Sequence, residues 1–176
     1  MPEFHLDTGG AVDAAPGSGL TGAIHFHDDL DAFTQGYLEA LFFTSQGDGE
    51  PGTDNESGLW VESEDEPGLW SNEFGFSDLA PETLAAIIAD CAKFQASPAY
   101  QAVQGADDQS EYPDNAPSYE CDRHAGRDLW YTRNGHGCGF WDGDWVGEEH
   151  DSDLTRISEE FGLLEPYVGD DGLIYF

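Results

Sequence analysis

The chain has 176 residues, of which 39% are hydrophobic and 13% aromatic. That is enough for one domain with a packed core and too apolar for a chain disordered throughout. Its 37 acids against 5 bases give a formal net charge of -32, which disfavours direct binding to DNA or RNA, because that needs a basic surface. No apolar run approaches the ~20 residues that span a bilayer, and Met1-Pro2-Glu3-Phe4 does not open a basic-then-apolar leader, so a cytoplasmic protein is expected.

Residues 1–22, rich in Gly, Ala and Pro, predict a flexible arm ahead of a single domain over 23–176. His25 and His27 bracket Phe26 and read as structural. Residues 28–43 predict the first helix. Leu30, Phe33, Tyr37 and Leu41 recur on one face, and Leu38 and Phe42 broaden the stripe. Asp28 and Asp29 suit its first turn, where the helix dipole favours negative charge. Gly36 weakens it by ~1 kcal/mol relative to Ala. Residues 44–76 predict a long acidic loop holding a short repeat, Glu56-Ser57-Gly58-Leu59-Trp60 and Glu66-Pro67-Gly68-Leu69-Trp70. Two copies are too few for a solenoid. The Leu-Trp pairs read either as latches that pin the loop to the core or as a recognition surface, since Trp is enriched among interface anchors.

Residues 77–95 predict the clearest helix, with Pro81 at its first position, Glu82 in its first turn, and Leu84, Ile87, Ile88, Cys91 and Phe94 as its buried stripe. Ala99 to Gln104 suggest a further helical turn, and 105–120 a second acidic loop. Asp128 to Thr132 read as a strand, Asn134-Gly135 as a hairpin turn, and Gly139 to Asp142 as the returning strand. Residues 152–162 predict a third helix, with Ser152 as N-cap and Gly162 as its stop. Pro166 to Phe176 read as a second hairpin turning at Gly169-Asp170-Asp171-Gly172. The expected class is α+β: about three helices packed on a small antiparallel sheet made of two C-terminal hairpins, with acidic loops at 44–76 and 105–120.

The segment from Trp130 to Asp142 (WYTRNGHGCGFWD) is similar to a W-x-T-R-N-G-H-G-x-G-F-W-D pattern of small uncharacterised tailed-phage proteins. Tyr167 to Tyr175 (YVGDDGLIY) matches their closing Y-V-G-D-D-G-x-x-Y, and the helix opening from Asp78 to Leu84 also fits. The resemblance covers about half of the chain. It implies a phage or mobile-element origin and identifies relatives, not a reaction. The acids of 44–76 and 105–120 are additions that it does not require.

Among candidate sites, Arg133, Asn134 and His136 on a Gly-rich turn suit either the grip of a carboxylate or phosphate, or tight backbone geometry with Arg133 paired to an acid such as Asp142. Cys121, His124, His136 and Cys138 form a conceivable Cys2His2 set, but not at the common paired spacing. A Cys-His nucleophile at Cys138 has no oxyanion motif beside it, and nearby negative charge opposes its thiolate. Asp142-Gly143-Asp144-Trp145-Val146-Gly147 copies part of a calcium loop but fails at Val146. No metal, cofactor or catalytic residue is therefore assigned.

The bases are Lys93, Arg123, Arg127, Arg133 and Arg156, and residues 1–92 hold none. Self-repulsion on this scale costs stability, so the acidity needs a reason. The leading expectation is a non-enzymatic phage or mobile-element protein that imitates the phosphates of a nucleic acid. It would block a basic nucleic-acid-binding host protein of a restriction or CRISPR defence system. Expected partner-binding residues are Glu56, Trp60, Glu62, Glu64, Asp65, Glu66, Trp70, Glu148, Glu149, Asp151 and Asp153. Two alternatives stand beside it: salt adaptation, in which acids serve solvation and counterions screen them over ~3 Å at 1 M, and a small enzyme or metal protein centred on residues 121–138.

Overall fold

The computed structural model describes residues 12–13, 23–24, 27–45, 59, 61–62, 65, 70–71, 74–104, 118–143, 145 and 148–176. Its architecture is mostly helical. Asp31 starts the first helix: its carboxylate accepts the Thr34 N–H at 3.0 Å and the Thr34 hydroxyl at 2.7 Å, an N-cap that satisfies an otherwise orphan donor. Helix α1 (Ala32–Ser45) therefore begins at the fourth residue after Asp28, and residues 27–29 form a separate 3-10 turn. The expected stripe is buried at Leu30, Phe33, Tyr37, Leu38 and Leu41. Ala40, Thr34 and Gly36 are buried as well, so α1 is a central helix covered on most sides.

Helix α2 (Pro81–Gln95) opens on Pro81 and buries Leu84, Ile87, Ile88, Cys91 and Phe94, as its periodicity predicts. Pro98 starts the short helix α3 (Pro98–Gln104), whose Tyr100 and Val103 reach the core. Phe33, Phe94, Tyr100 and Phe140 meet ring to ring at 5.4–5.6 Å between centroids. Full burial of side chains of this kind contributes ~1.5–3 kcal/mol each.

The predicted first hairpin does not exist. Its first strand is the end of helix α4 (Ser118–Arg133), which also takes up the last residues assigned to the second acidic loop. The buried face of α4 carries Ala125, Gly126, Asp128, Leu129, Trp130, Thr132 and Arg133. Glycine and polar residues on that face hide the helical period, while Trp130-Tyr131-Thr132 are strand formers by propensity. Asn134-Gly135 ends the helix instead of turning a hairpin. The Gly135 N–H donates to the Thr132 carbonyl at 3.2 Å and the His136 N–H to the Tyr131 carbonyl at 3.0 Å. With Gly135 at φ 68, this is the Schellman pattern of a helix C-terminus. The predicted returning strand is a 3-10 turn, Phe140–Asp142, capped by the Asp142 carboxylate on the Gly139 N–H at 3.0 Å.

Helix α5 (Glu148–Glu159) starts one turn earlier than expected, so Ser152 lies inside it, and Gly162 at φ 74 lies past its end. The closing hairpin is present: Tyr167–Val168 pairs antiparallel with Ile174–Tyr175. Ile174 also bridges to Leu79, and its carbonyl accepts the Ala80 N–H at 3.1 Å, which ties the hairpin to the start of α2. Two further antiparallel pairings are two residues long: β1 (Val12–Asp13) with β2 (Ala23–Ile24), and β3 (Val61–Glu62) with β4 (Trp70–Ser71). The first places a strand within the predicted arm, and the second lies within the predicted first acidic loop. Among the described residues there is thus no helix-covered sheet built from two C-terminal hairpins, and five α-helices pack on one another.

Candidate functional site

The disposition of the basic side chains decides what the described surface can bind. Arg123 and Arg127 lie one turn apart on α4 and converge on Glu39 of α1. Arg123 donates through Nη2 to one carboxylate oxygen, and Arg127 donates to the other from Nη2 at 2.8 Å and Nε at 3.2 Å. Burial works against the ionised Glu39, but the two guanidiniums outweigh it and hold the carboxyl below its ordinary range. The spacing of Arg123 and Arg127 was the available sequence signal for this fork.

Arg133 is the most deeply used base, with a side chain only 1% exposed. It donates to the Tyr37 hydroxyl and to Asp90, both at 2.9 Å, and to the carbonyls of Gly162 and Phe161 at 2.9 and 3.0 Å. It therefore places a cation just past the C-terminal end of α5, where the helix dipole favours one, while binding α2. The acid it pairs with is Asp90 and not Asp142. Burial pushes the Tyr37 phenol well up, so Tyr37 serves as a neutral acceptor. Asn134 is equally committed: it donates to the Trp130 carbonyl and accepts the Leu164 N–H, both at 2.9 Å. Arg133 and Asn134 thus face inward and present no grip for an external anion. Arg156 bridges Asp153 and Glu160 on the outside of α5.

Many of the described acids also have internal uses. Asp31, Asp78 and Asp142 cap backbone turns. Asp122 accepts the Tyr100 hydroxyl at 2.7 Å. Asp128, nearly buried, accepts the Trp145 indole N–H at 2.8 Å and lies 3.3 Å from the His124 ring. The expected partner-binding residues are less gathered. Glu56, Trp60, Glu64 and Glu66 lie outside the described residues. Glu62 and Trp70 stand opposite each other across β3 and β4, with Asp65 exposed in the connection. Leu59 of the first repeat is buried and donates its N–H to the Ser45 carbonyl at 2.7 Å, which supports the latch reading for that copy. Glu148, Glu149, Asp151 and Asp153 occupy the start of α5, a position where acids also favour the helix itself; Asp151 is half-buried and Asp153 exposed.

The Cys-His set does not assemble. Cys121 and His124 sit near the start of α4 while His136 and Cys138 lie past its end, separated by roughly 20 Å of helix. Among the described residues no group of three or more His, Cys, Asp or Glu has a metal-holding arrangement. Cys91 is buried, and burial raises its thiol. Cys138 is exposed; partial burial and then Asp142 and Asp128 raise its thiol too, opposite to what a nucleophile needs.

One open cleft, of about 240 Å³, lies where the ends of α1 and α4 meet residues 163–166. Thr44 and Ser45 come from α1, Trp130 and Asn134 from α4, and His136 from just past its cap. The Trp130 indole N–H is satisfied by the Thr44 hydroxyl at 2.8 Å. Burial lowers the pKa of His136, so its ring is neutral at pH 7. Among the described residues, Glu165, exposed, is the sole carboxylate on the lining. Sequence reasoning found His136 and Asn134 but not the cleft, because residues 163–166 approach only through the α4 cap.

Compared with known proteins, the chain matches no family model, no curated protein and no solved structure. Among the described residues no helix is long and apolar enough to cross a membrane.

Proposed function

We propose that this chain is a non-enzymatic accessory protein of a phage or mobile element that binds a basic, nucleic-acid-binding host protein and blocks it by placing carboxylates where phosphates would lie. The observation that carries this reading is the commitment of the arginines. All four are bound to carboxylates of their own chain, and Lys93 packs over the Phe161 ring at 4.7 Å. With 37 acids against 5 bases, little positive charge remains to moderate the surface. Exposed acids are spread through the described helices and the hairpin, at Asp28, Glu82, Asp153, Glu159, Glu160, Asp170 and Asp171 among others. Such a surface steers a basic partner into encounter and repels nucleic acid.

Displacement of labelled duplex DNA from host restriction and CRISPR surveillance proteins tests the reading. Binding that replaces several phosphate contacts weakens at least ~10-fold between ~50 and ~200 mM salt, as DNA binding itself does. Failure to displace DNA, or displacement indifferent to salt, refutes it.

A further inference from the structure

We propose that the cleft between the ends of α1 and α4 receives one arginine side chain of the protein partner, its guanidinium on Glu165 and its stem along Leu163, Leu164 and Pro166. This site rests on the reading that the partner is basic and assigns where one of its arginines is held. Three observations select that occupant. First, the Thr44, Trp130 and Asn134 side chains of the lining are already committed. The Thr44 hydroxyl bonds the Ala40 carbonyl and the Trp130 indole, and both ends of the Asn134 amide are used within the chain. The side chains of Glu165 and His136 make no hydrogen bond or ion pair to a described residue, so a carboxylate and a neutral ring remain for a ligand. Second, the volume of about 240 Å³ lies under the ~300–1,000 Å³ of small-molecule sites and suits a single side chain. Third, the chemistry is mixed: apolar walls, a flat ring and one negative charge, in a protein of net charge -32. A guanidinium fits such a wall better than an ammonium, because it is planar, weakly hydrated and stacks on rings. The protein already uses the device internally, where Arg133 lies over the Phe161 ring at 5.6 Å.

Titration of the full chain with N-acetyl-arginine amide, followed by the Trp130 indole and His136 ring signals in NMR, tests the site. N-acetyl-lysine amide and N-acetyl-leucine amide serve as comparisons. The expected result is a saturable shift of both signals with the arginine amide, weaker binding of the lysine amide, and none of the leucine amide. Glu165→Gln should weaken the arginine amide roughly two- to fivefold, as an exposed ion pair allows. Among the described residues the exposed Glu165 side chain has no hydrogen-bond or ion-pair partner, so this variant should leave the fold intact; Glu159→Gln, an exposed acid outside the cleft, should leave binding unchanged. Equal shifts from leucine amide, shifts that grow linearly without saturating, or identical behaviour of Glu165→Gln overturn the proposal. The DNA-displacement assay separates the two readings. A chain that displaces DNA but ignores arginine amide loses only the cleft, and one that binds arginine amide but displaces nothing loses its function as a mimic.

Discussion

Gly36 of α1 and Gly126 of α4 each leave room for the backbone of the other helix. A Cβ on Gly36 would run into the Arg123 carbonyl, and a Cβ on Gly126 would run into the Phe33 carbonyl. The backbones of the two helices approach here with no side chain between them, and the obstacles are main-chain atoms that cannot rotate away. Gly36 thus has a packing reason that outweighs its ~1 kcal/mol propensity cost.

Gly36→Ala and Gly126→Ala should each destabilise the protein by about 1–3 kcal/mol or more, because the added methyl group forces the helices apart. For a chain of this length that corresponds to a melting temperature roughly 2–12 °C lower. Thermal unfolding followed by far-UV circular dichroism reads it. An unchanged or raised melting temperature would show that the two helices do not meet as described.

Arg133 carries the second prediction. It joins α4 to Tyr37 of α1, Asp90 of α2 and two carbonyls just past the end of α5. Arg133→Met leaves those acceptors without their donor and should cost about 3–5 kcal/mol, the usual result of breaking a buried charge pair from one side. Arg133→Lys keeps the charge but has no planar fork to divide among four acceptors, so it should fall between the two. Urea unfolding of the three proteins gives the order, and a fully stable Arg133→Met would remove Arg133 from its structural role.

The same residue explains what the sequence could and could not disclose. The stripes of α1 and α2 were legible because their buried positions are apolar and recur at helical spacing. The closing hairpin was legible because Gly172 at φ 79 does what its turn residues announce. Helix α4 was not, because Arg133, Asp128 and Gly126 sit on its buried face, and their value comes from Asp90, Trp145 and Phe33 elsewhere in the chain. Asn134-Gly135 also speaks for two structures at once: a glycine with positive φ suits a hairpin turn and a helix cap alike. Only the partners of the flanking residues decide between them.

Glu39 makes the pH dependence testable. Its folded carboxyl titrates below the ordinary 4.5. Its pairing therefore adds stability that is complete above that value and is lost as pH falls through the lower, folded one. Glu39→Gln should be destabilised at pH 7 by about 1–2 kcal/mol, and the gap to the parent should close in acid. The parent's own trend is complicated by relief of repulsion as other carboxyls protonate, so the difference between the two proteins is the quantity to follow. A gap that stays constant down to about pH 3 would refute the pairing.

Thiol reactivity distinguishes the exposed cysteine from the core one. Cys138 is exposed with a raised pKa, and Cys91 is buried. Cys138 should react with an aromatic disulfide reagent in the folded protein, slowly at pH 7 and faster as pH rises toward 9 and beyond. Cys91 should react only on unfolding. Rapid reaction of Cys138 at pH 7, abolished by Cys138→Ser, would mean an activated thiolate and would revive the enzyme reading.

Salt separates mimicry from adaptation to brine. A net charge of -32 opposes compaction, yet the described interior is ordinary: aromatic rings in contact, a cysteine in the core, and arginines held by specific acceptors. That core should suffice without screening, so the chain should show native helix content at low ionic strength. Its melting temperature should then rise as salt shortens the Debye length from ~30 Å at 0.01 M to ~3 Å at 1 M. A protein adapted to brine behaves differently, losing helix in dilute buffer and regaining it only near molar salt. Circular dichroism across that range decides between them, and loss of the helical signal at low salt would leave the carboxylates as solvation and withdraw the reason for seeking a basic partner.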